Sequence, residues 1–304
     1  MAAATAQLAS FETGHGDMVH DASFDYYGKR LATCSSDRSI KVFDVVGDQV
    51  THLADLNGHE GPVWQVGWAH PKFGSLLASC SFDNRVIVWK EVSDNVWQQV
   101  YQSPLHTASV NSLCWAPYEL GLALAAASSD GALSVLTYQP DGSWHADKME
   151  GAHPIGCTAV SWSPAAPKGS LVASQAPGQP VRRLASAGCD NCVRVWTYGE
   201  QARQWRQEGP PLAAHTDWVR DVAWAPNFGL PMNTIASAGQ DGKVVIWTEQ
   251  TEGGWEKHLL HDFGVAVWRV SWSVSGNILS VSDANNAVTL WKEAADGQWQ
   301  QITQ

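Results

Sequence analysis

Apolar residues recur along this chain in short runs with a period of two. Residues 58–89 read GHEGPVWQVGWAHPKFGSLLASCSFDNRVIVW, and residues 214–247 read AHTDWVRDVAWAPNFGLPMNTIASAGQDGKVVIW. Both segments contain a histidine, a V-x-x-V-x-W run, a run of small residues, an aspartate and a final alternating run that ends in an aromatic residue. Such alternation predicts short β-strands with one buried face.

The same frame occurs six times along the chain. The intervals between its final residues are 46, 47, 60, 51 and 44 residues. They lie close to the period of about 40 to 45 residues that is typical of WD repeats. A fourth alternating run follows each unit, so each unit is predicted to form the four antiparallel strands of one propeller blade. The final residues are Phe43, Trp89, Leu136, Trp196, Trp247 and Trp291.

The sequence therefore predicts an all-β WD-repeat propeller of six four-stranded blades, formed by a single domain over 1–304. The longest interval contains the insertion 165–183, which is rich in proline, glycine and serine and is predicted to be a loop. The expected repeats are approximately 14–57, 58–105, 106–151, 152–213, 214–261 and 262–304.

An N-terminal strand within 1–13 is left over from this count. In a closed WD propeller the N-terminal strand completes the last blade, but here GQWQQITQ at the C-terminus already supplies that strand. An unpaired strand edge is normally covered in a native protein. Strands from a partner would cover it by completing a seventh blade. The predicted partner-binding residues are Gln7, Leu8, Ala9, Ser10, Phe11 and Glu12.

A histidine, a serine, an aspartate and a tryptophan recur together in three of the units. The Ser-His-Asp combination is also found in hydrolases, but a single active site would not be repeated in several units. We expect each set to form a buried hydrogen-bond chain, because buried polar groups persist when they satisfy one another. The expected sets are His59, Ser79, Asp83 and Trp89; His153, Ser186, Asp190 and Trp196; and His215, Ser237, Asp241 and Trp247.

The other three units depart from this set. Unit one ends in Phe43, which has no N–H group. Unit three has Ala126 and Leu136, so His106 and Asp130 are expected to lose the linking hydroxyl and the indole. Unit six is expected to be packed through apolar contacts, since its corresponding residues are Phe263, Val281 and Asn285.

Charge and cysteine content argue against several classes of function. The net charge of -11 gives no counterion-release advantage on nucleic acid, so direct binding to nucleic acid or to an anionic membrane is not expected. No apolar run approaches the roughly 18 to 20 residues of a membrane-spanning helix, and the N-terminus is unlike a secretion signal. The Cys189 and Cys192 pair has no second pair to complete a zinc site, so no metal or cofactor is expected.

Several segments carry a more specific resemblance. They are HDASFDYYGKRLATCSSDRSIKVFDV, LNGHEGPVWQVGWAHPKFGSLLASCSFDNRVIVWKE, TDWVRDVAWAPNFG and VWRVSWSVSGNILSVSDANNAVTLWKE. These segments resemble the family of small WD-repeat subunits of the outer COPII vesicle coat, which are shared with the Y-shaped scaffold of the nuclear pore. The resemblance spans all six units and is weakest in the insertion of unit four.

This resemblance implies an open propeller that receives three strands of a seventh blade from a large α-solenoid coat subunit. A solenoid subunit of the nuclear pore is implied as a second partner. The implied function is scaffolding in transport from the endoplasmic reticulum to the Golgi, without enzymatic activity or cofactor. The implied location is the cytoplasm, at exit sites and on vesicles, together with the nuclear envelope. Contact with the membrane would be made through the coat alone.

A second hypothesis comes from a different class of function, an adaptor propeller that binds peptides at its central face. Such a protein needs exposed aromatic or charged side chains near the ends of its first strands. Trp64, Trp218 and Trp268 are the candidates. We interpret the three tryptophans as occupying the same position in different repeats. Recurrence at one position favours a role in packing or in a shared face over a single binding pocket.

Overall fold

The computed structural model describes residues 10–166, 180–227, 232–251, 254–294 and 296–302. Within these ranges the chain forms 24 β-strands and two 3-10 helices, Pro71–Phe73 and Tyr118–Leu120. The strands form six four-stranded sheets. The predicted all-β class and the six four-stranded blades are thus confirmed. No helix of the described part has the length and apolar character needed to cross a membrane.

Each sheet is an antiparallel meander in which consecutive strands are neighbours. Blades 1 to 3 contain β1 (Val19–Phe24), β2 (Arg30–Ser35), β3 (Ser39–Val46), β4 (Gln49–Asn57), β5 (Val63–Trp68), β6 (Leu76–Ser81), β7 (Val86–Ser93), β8 (Val96–Ser103), β9 (Val110–Trp115), β10 (Ala123–Ser128), β11 (Leu133–Tyr138) and β12 (Trp144–Met149). Blades 4 to 6 contain β13 (Cys157–Trp162), β14 (Arg183–Gly188), β15 (Cys192–Gly199), β16 (Gln204–Ala213), β17 (Val219–Trp224), β18 (Thr234–Gly239), β19 (Lys243–Thr251), β20 (Gly254–Asp262), β21 (Val267–Trp272), β22 (Ile278–Asp283), β23 (Val288–Glu293) and β24 (Trp299–Gln301).

Backbone contacts divide the chain into two compact units. Of the described residues, 10–150 form one unit with blades 1 to 3, and those from 151 onward form the other with blades 4 to 6. The single domain over 1–304 stays a prediction. Most of the insertion 165–183 lies outside the described residues, so its interpretation as a loop also stays a prediction.

In blades 2 and 3 the second strand is rich in small residues and is fully buried. LLASCS in β6 and ALAAAS in β10 are buried at every position. Small side chains let the next blade approach closely, so one core forms between successive blades within a unit. Between blades 1 and 2, for example, Ala32 and Ile40 pack in one cluster with Val63, Val66 and Leu77.

Tryptophan stabilises these sheets in two ways, which accounts for many of the 17 tryptophans of the chain. In blades 2, 3 and 6 the indole N–H at the end of the first strand donates to a backbone carbonyl of the preceding blade, which provides the acceptor that an indole N–H removed from water needs. First-strand and fourth-strand indoles of one blade also meet edge to face. The bonds between blades run from Trp68 to Ser23 (2.9 Å), from Trp115 to Gly67 (2.8 Å) and from Trp272 to Ala223 (3.0 Å).

The turn after β21 shows how closely blades 5 and 6 approach. Gly276 has a φ of 70°, and a Cβ atom built on it would overlap the carbonyl oxygen of Pro226. Gly297, in the same blade, has a φ of 80° but no atom within 4 Å of a Cβ built there. The two glycines therefore share the left-handed conformation and differ in the space around them.

We expect Gly276→Ala to lower the free energy of unfolding by at least about 2 kcal/mol more than Gly297→Ala does. Both variants incur the strain of a left-handed alanine, so the difference isolates the overlap with Pro226. Urea unfolding followed by tryptophan fluorescence measures it. Equal destabilisation by the two variants would show that the contact between these blades relaxes easily.

Candidate partner-binding faces

The tetrads predicted for blades 2, 4 and 5 each form a continuous hydrogen-bond chain. In blade 2, His59 Nδ1 lies 2.9 Å from Asp83 Oδ2 and His59 Nε2 lies 2.7 Å from Ser79 Oγ. The indole of Trp89 donates to the same hydroxyl at 2.9 Å. The corresponding distances are 2.7, 2.8 and 2.9 Å for His153, Ser186, Asp190 and Trp196. They are 3.0, 2.8 and 2.9 Å for His215, Ser237, Asp241 and Trp247.

The direction of this chain suits a neutral imidazole. Nδ1–H donates to the carboxylate, Nε2 accepts from the serine hydroxyl, and the serine oxygen accepts from the indole, so the imidazole, the hydroxyl and the indole each have a partner. Burial lowers the pKa of His153 and His215, although their aspartates raise it. Burial acts to raise the pKa of Asp190, but hydrogen bonds led by that from His153 hold it below its ordinary value. The tetrads are thus satisfied internally and leave no group to act on a substrate.

Blade 3 differs from the sequence prediction, because His106 does have a hydroxyl partner. His106 Nε2 lies 2.9 Å from Ser134 Oγ, and Nδ1 lies 3.0 Å from Asp130 Oδ2. Ser134 is on β11, directly opposite Ala126 in the ladder with β10. The hydroxyl has therefore moved to the neighbouring strand, and the prediction of a lost hydroxyl was wrong. The loss of the indole stands, since Leu136 is apolar.

Blade 6 uses the same repeat position for a hydroxyl. Thr289 lies four residues after Asn285, as Ser134 lies four residues after Asp130, and its Oγ1 accepts from the Trp291 indole at 2.9 Å. The ring of Phe263 lies edge to face against Trp291, at 6.1 Å between centroids. The apolar packing expected in blade 6 is present, and this one hydrogen bond accompanies it.

Blade 1 ends its chain of hydrogen bonds one step early. His15 Nδ1 lies 2.9 Å from Asp37 Oδ2, and Nε2 lies 2.8 Å from Thr33 Oγ1. Phe43 occupies the tryptophan position, and the ring of Phe11 packs on it edge to face at 5.3 Å. Two phenyl rings thus lie where other blades place one indole.

The predicted N-terminal strand is only partly within the described residues. Ser10, Phe11 and Glu12 have no strand assignment, whereas Gln7, Leu8 and Ala9 lie outside the described residues. A strand at Ser10, Phe11 and Glu12 is therefore not present in this chain alone. Strands are held by ladder hydrogen bonds, which need a neighbouring strand. The Phe11 contact and the hydrogen bonds of His15 nevertheless attach this segment to blade 1.

One face of blade 1 is uncovered. We call it the leading face and define it by Val19, Ala22 and Phe24, the V-x-x-V-x-W positions of β1. Val19 is 43% exposed and Phe24 is 55% exposed. Ala22 is also exposed. The five residues that correspond to Val19 are all 0% exposed: Val63, Val110, Cys157, Val219 and Val267.

Blade 6 also has an uncovered face, which is formed by its second and third strands. We call it the trailing face and define it by Ser280, Ser282 and Val288, on β22 and β23. Val288 is 54% exposed and the two serines are half-buried. The five residues that correspond to Val288 are all 0% exposed: Ile40, Val86, Leu133, Val193 and Val244. In each of the two compact units, one blade thus exposes residues whose counterparts in the other blades are buried.

These faces are candidate functional features that sequence reasoning missed, although the sequence contains a signal for each. The V-x-x-V-x-W pattern weakens in β1, where Ala22 and Phe24 replace a larger aliphatic residue and tryptophan. In β22, Ser280 and Ser282 stand where other blades have alanine or cysteine. Smaller or more polar residues at core positions are typical of a surface that does not have a permanent neighbour in its own chain.

The three tryptophans of the adaptor hypothesis do not occupy one repeat position. Trp64 and Trp268 are the second residues of β5 and β21, but Trp218 immediately precedes β17. Trp64 is partly buried, and its indole donates to Ser109 Oγ at 2.8 Å. Trp218 and Trp268 are exposed, and the Arg220 guanidinium lies 5.1 Å from the centroid of each ring. The interpretation as one shared position was wrong, and the exposed pair belongs to blades 5 and 6.

The cysteines of the described part of the chain form no disulfide, and this includes Cys189 and Cys192. Burial raises the pKa of Cys189 and of Cys192 above the ordinary thiol value, which favours the unreactive protonated form. No group of three or more metal-ligating side chains lies among the described residues.

We expect Ser134→Ala to lower the free energy of unfolding by about 1 to 3 kcal/mol, because it leaves a buried imidazole nitrogen without a partner. Adding Ala126→Ser restores a hydroxyl at the usual tetrad position and should recover more than half of that loss. Urea unfolding gives both values, with the exposed Ser143→Ala as the control. A neutral Ser134→Ala, or a second substitution without effect, would contradict the assigned hydrogen bond.

Stability should also depend on pH through the buried imidazoles. Burial lowers the pKa of His106, His153 and His215 in the folded state. The unfolded chain therefore binds more protons below about pH 6.5, and the stability present above that pH is lost as pH falls. We expect urea unfolding to show a decrease of about 1 to 4 kcal/mol from pH 7.5 to 5.5. His153→Gln should reduce this dependence, whereas equal stability at both pH values would contradict the neutral tetrads.

Comparison with known proteins places these observations in a family. The family described as WD domain, G-beta repeat matches residues 6–44, 50–90 and 209–248. The chain is 59% identical over 297 residues to Protein transport protein SEC13 homolog A of Arabidopsis thaliana, covering 96% of this chain and 97% of that protein. It is 57% identical to Protein SEC13 homolog of Dictyostelium discoideum, with 89% of each chain covered.

A third relative, Protein transport protein sec13 of Schizosaccharomyces pombe, is 60% identical, with 90% of this chain and 92% of that protein covered. Identity of this order over nearly the whole length includes all six blades, beyond the three segments that match the repeat family. The chain belongs to the SEC13 family of WD-repeat β-propeller proteins.

Proposed function

We propose that this protein is a non-enzymatic scaffold subunit of the outer COPII coat and acts in vesicle transport from the endoplasmic reticulum to the Golgi. Membership in the SEC13 family supports this role, because the names of relatives from Arabidopsis thaliana and Schizosaccharomyces pombe include protein transport. The internally satisfied tetrads support the absence of catalysis, since each histidine and serine is already hydrogen-bonded within its own blade.

The observation that carries the proposal is the pair of uncovered faces. Val19 and Phe24 on the leading face and Val288 on the trailing face are exposed where the corresponding residues of other blades are buried or better covered. Apolar area of this kind is stabilising when a partner removes it from water, at about 25 cal/mol per Å². A blade inserted from another chain would offer each face the neighbour that it lacks.

The partner in this proposal is a large α-solenoid coat subunit that donates three strands. The N-terminal segment of this chain, from Gln7 to Glu12, would pair with them as the fourth strand. Phe11 supports this arrangement because it fixes the segment beside Phe43 on blade 1. Main-chain hydrogen bonds to the donated strands would then bring Ser10, Phe11 and Glu12 into a sheet, since these three residues have no strand assignment in the isolated chain.

A solenoid subunit of the Y-shaped nuclear pore scaffold would bind in the same way, by donating three strands of a blade. In this proposal the protein is cytoplasmic, at exit sites and on COPII vesicles, and also lies at the nuclear envelope. It reaches the membrane through its coat partner and does not bind nucleic acid. The net charge of -11 supports both points, because phosphate-rich surfaces repel an acidic chain.

One observation favours the adaptor as a second candidate function. Arg220 lies between the exposed rings of Trp218 and Trp268, and its Nε donates to Gln240 Oε1 at 2.8 Å. Two exposed indoles around a fixed guanidinium form a surface that suits a peptide with aromatic or acidic side chains. This surface lies on blades 5 and 6, apart from the residues that define the trailing face.

The two candidates differ in the substitutions that abolish partner binding. We expect Val288→Asp to reduce recovery of α-solenoid coat and pore subunits more than about tenfold, because it places an unpaired carboxylate in an apolar interface. Val274→Asp is the matched control, since Val274 is 85% exposed in the same blade and lies outside the trailing face. Tagged chains are recovered from a eukaryotic lysate and their partners are quantified by mass spectrometry.

Circular dichroism and unfolding of the isolated variants establish that both remain folded. Retention of the solenoid subunits by Val288→Asp, and likewise by Val19→Asp, would overturn the blade-completion proposal. Loss of partners on combining Trp218→Ala with Trp268→Ala, with full binding by Val288→Asp, would favour the adaptor instead.

A further inference from the structure

A continuous row of exposed rings crosses the loops that join the first and second strands of blades 1, 2 and 3. We call Tyr27, Tyr26, His70 and Tyr118 the aromatic row. Tyr27 and Tyr26 are 65% and 68% exposed, and Tyr118 is 40% exposed. All four residues lie in one compact unit. The uncovered blade faces do not include them, so the scaffold role leaves this row unexplained.

Successive rings of the row are in contact. The centroids of Tyr27 and Tyr26 are 5.2 Å apart, and those of Tyr26 and His70 are 4.9 Å apart, both edge to face. His70 and Tyr118 are stacked at 4.3 Å. Isolated exposed aromatic residues are common, but a contiguous exposed group is typical of an interaction site.

The backbone holds these rings in place. His70 caps the 3-10 helix Pro71–Phe73, and its Nδ1 accepts from the backbone N–H of Lys72 at 3.2 Å. Tyr118 begins the second 3-10 helix, Tyr118–Leu120. The turn after Tyr26 and Tyr27 is closed by the carboxylate of Asp25, which accepts from two backbone N–H groups. The row is therefore preorganised, which lowers the entropic cost of binding.

Positive charge accompanies the row. The Lys72 ammonium lies 5.3 Å from the centroid of Tyr118 and 5.8 Å from that of Phe73. Lys29 is exposed beside Tyr27. Within the described residues neither lysine forms an ion pair with a carboxylate. Of the nearby acids, Asp25 is engaged by its own turn, Glu119 interacts with Tyr118, and Asp44 lines the adjoining cleft together with Arg30. The surface thus offers aromatic rings and two unpaired ammonium groups.

A cleft lies beside the blade 1 end of the row. Its volume is about 350 Å³, and Tyr26, Tyr27, Lys29, Trp68 and Pro71 are among its lining residues. A cleft of this size accepts one or two apolar side chains of an extended segment. The remaining segment would then run across the rings toward Lys72.

We infer that the aromatic row binds an extended, proline-rich segment of a partner protein that carries acidic residues. Proline rings pack on flat aromatic faces, and a polyproline II segment keeps its carbonyls free to accept from tyrosine hydroxyls. Carboxylates spaced one turn apart lie along one edge of such a helix, where Lys72 and Lys29 would pair with them.

Three peptides distinguish the chemical requirements: five repeats of Pro-Pro-Glu, of Pro-Pro-Lys and of Gly-Gly-Glu. Three residues complete about one turn of polyproline II, so the first peptide presents all of its carboxylates along one edge. We expect it to bind the full chain with a Kd below about 1 mM, a range accessible to fluorescence anisotropy. Raising the salt from 0.05 to 0.5 M should weaken binding about fivefold, since exposed ion pairs are screened.

The other two peptides should bind at least about tenfold more weakly than the Pro-Pro-Glu peptide, because each lacks one of the two features. Tyr26→Ala and Tyr118→Ala should each weaken that peptide about tenfold, and Lys72→Glu should reverse the preference toward the Pro-Pro-Lys peptide. Phe82→Ala is the control, since Phe82 is 60% exposed at the opposite end of blade 2. Circular dichroism verifies that each variant is folded.

Absence of binding by the Pro-Pro-Glu peptide to the folded chain would overturn the inference. Equal binding of the Gly-Gly-Glu peptide would also overturn it, because charge alone would then be recognised. Binding to phosphatidylserine vesicles that is lost in Tyr26→Ala would assign the row to a lipid surface. Self-association in sedimentation experiments that is lost in Tyr26→Ala would assign it to a second copy of the chain.

Discussion

The packing of one blade face on the next is the interaction on which the rest of this structure depends. A single four-stranded sheet leaves its apolar face in water unless another element packs on it. Small residues along β6 and β10 let the neighbouring blade approach, and the alternating residues of the next first strand fill the space. Within each unit the middle blade is packed between its two neighbours, whereas blade 1 and blade 6 each have one uncovered face.

The buried tetrads are compatible with this packing because they are complete. A serine hydroxyl between an imidazole and an indole can satisfy both, which makes the group inexpensive to bury. Blade 3 shows that the buried histidine needs a hydroxyl partner, whichever residue supplies it. Its second strand has Ala126, and Ser134 supplies the hydroxyl from the opposite position of the ladder. A histidine without a hydroxyl would cost more than the apolar arrangement of blade 6.

Sequence periodicity was sufficient to predict the 24 strands of the blades, the number of blades and the members of three tetrads, since each depends on residues at fixed intervals. It did not predict Ser134, because cross-strand register determines which hydroxyl reaches His106. Nor did it identify the leading and trailing faces, which are defined by exposure. Alternation alone does not distinguish Val288, which is 54% exposed, from Val244, which is 0% exposed. The sequence shows that Ala22, Ser280 and Ser282 differ from the residues at the same repeat positions of other blades. Only the structure shows that these differences lie on uncovered faces.

The composition of the two faces reflects a balance between solubility and assembly. A face as apolar as those between other blades would favour aggregation of the free chain, and Ser280 and Ser282 reduce that apolar character on blade 6. Val19, Phe24 and Val288 remain apolar, so a complementary blade still gains from covering them. On blade 1, Phe11 already covers part of Phe43. The N-terminal segment therefore protects one region of the leading side and leaves the β1 residues available, which is consistent with a face that receives its neighbour from another chain.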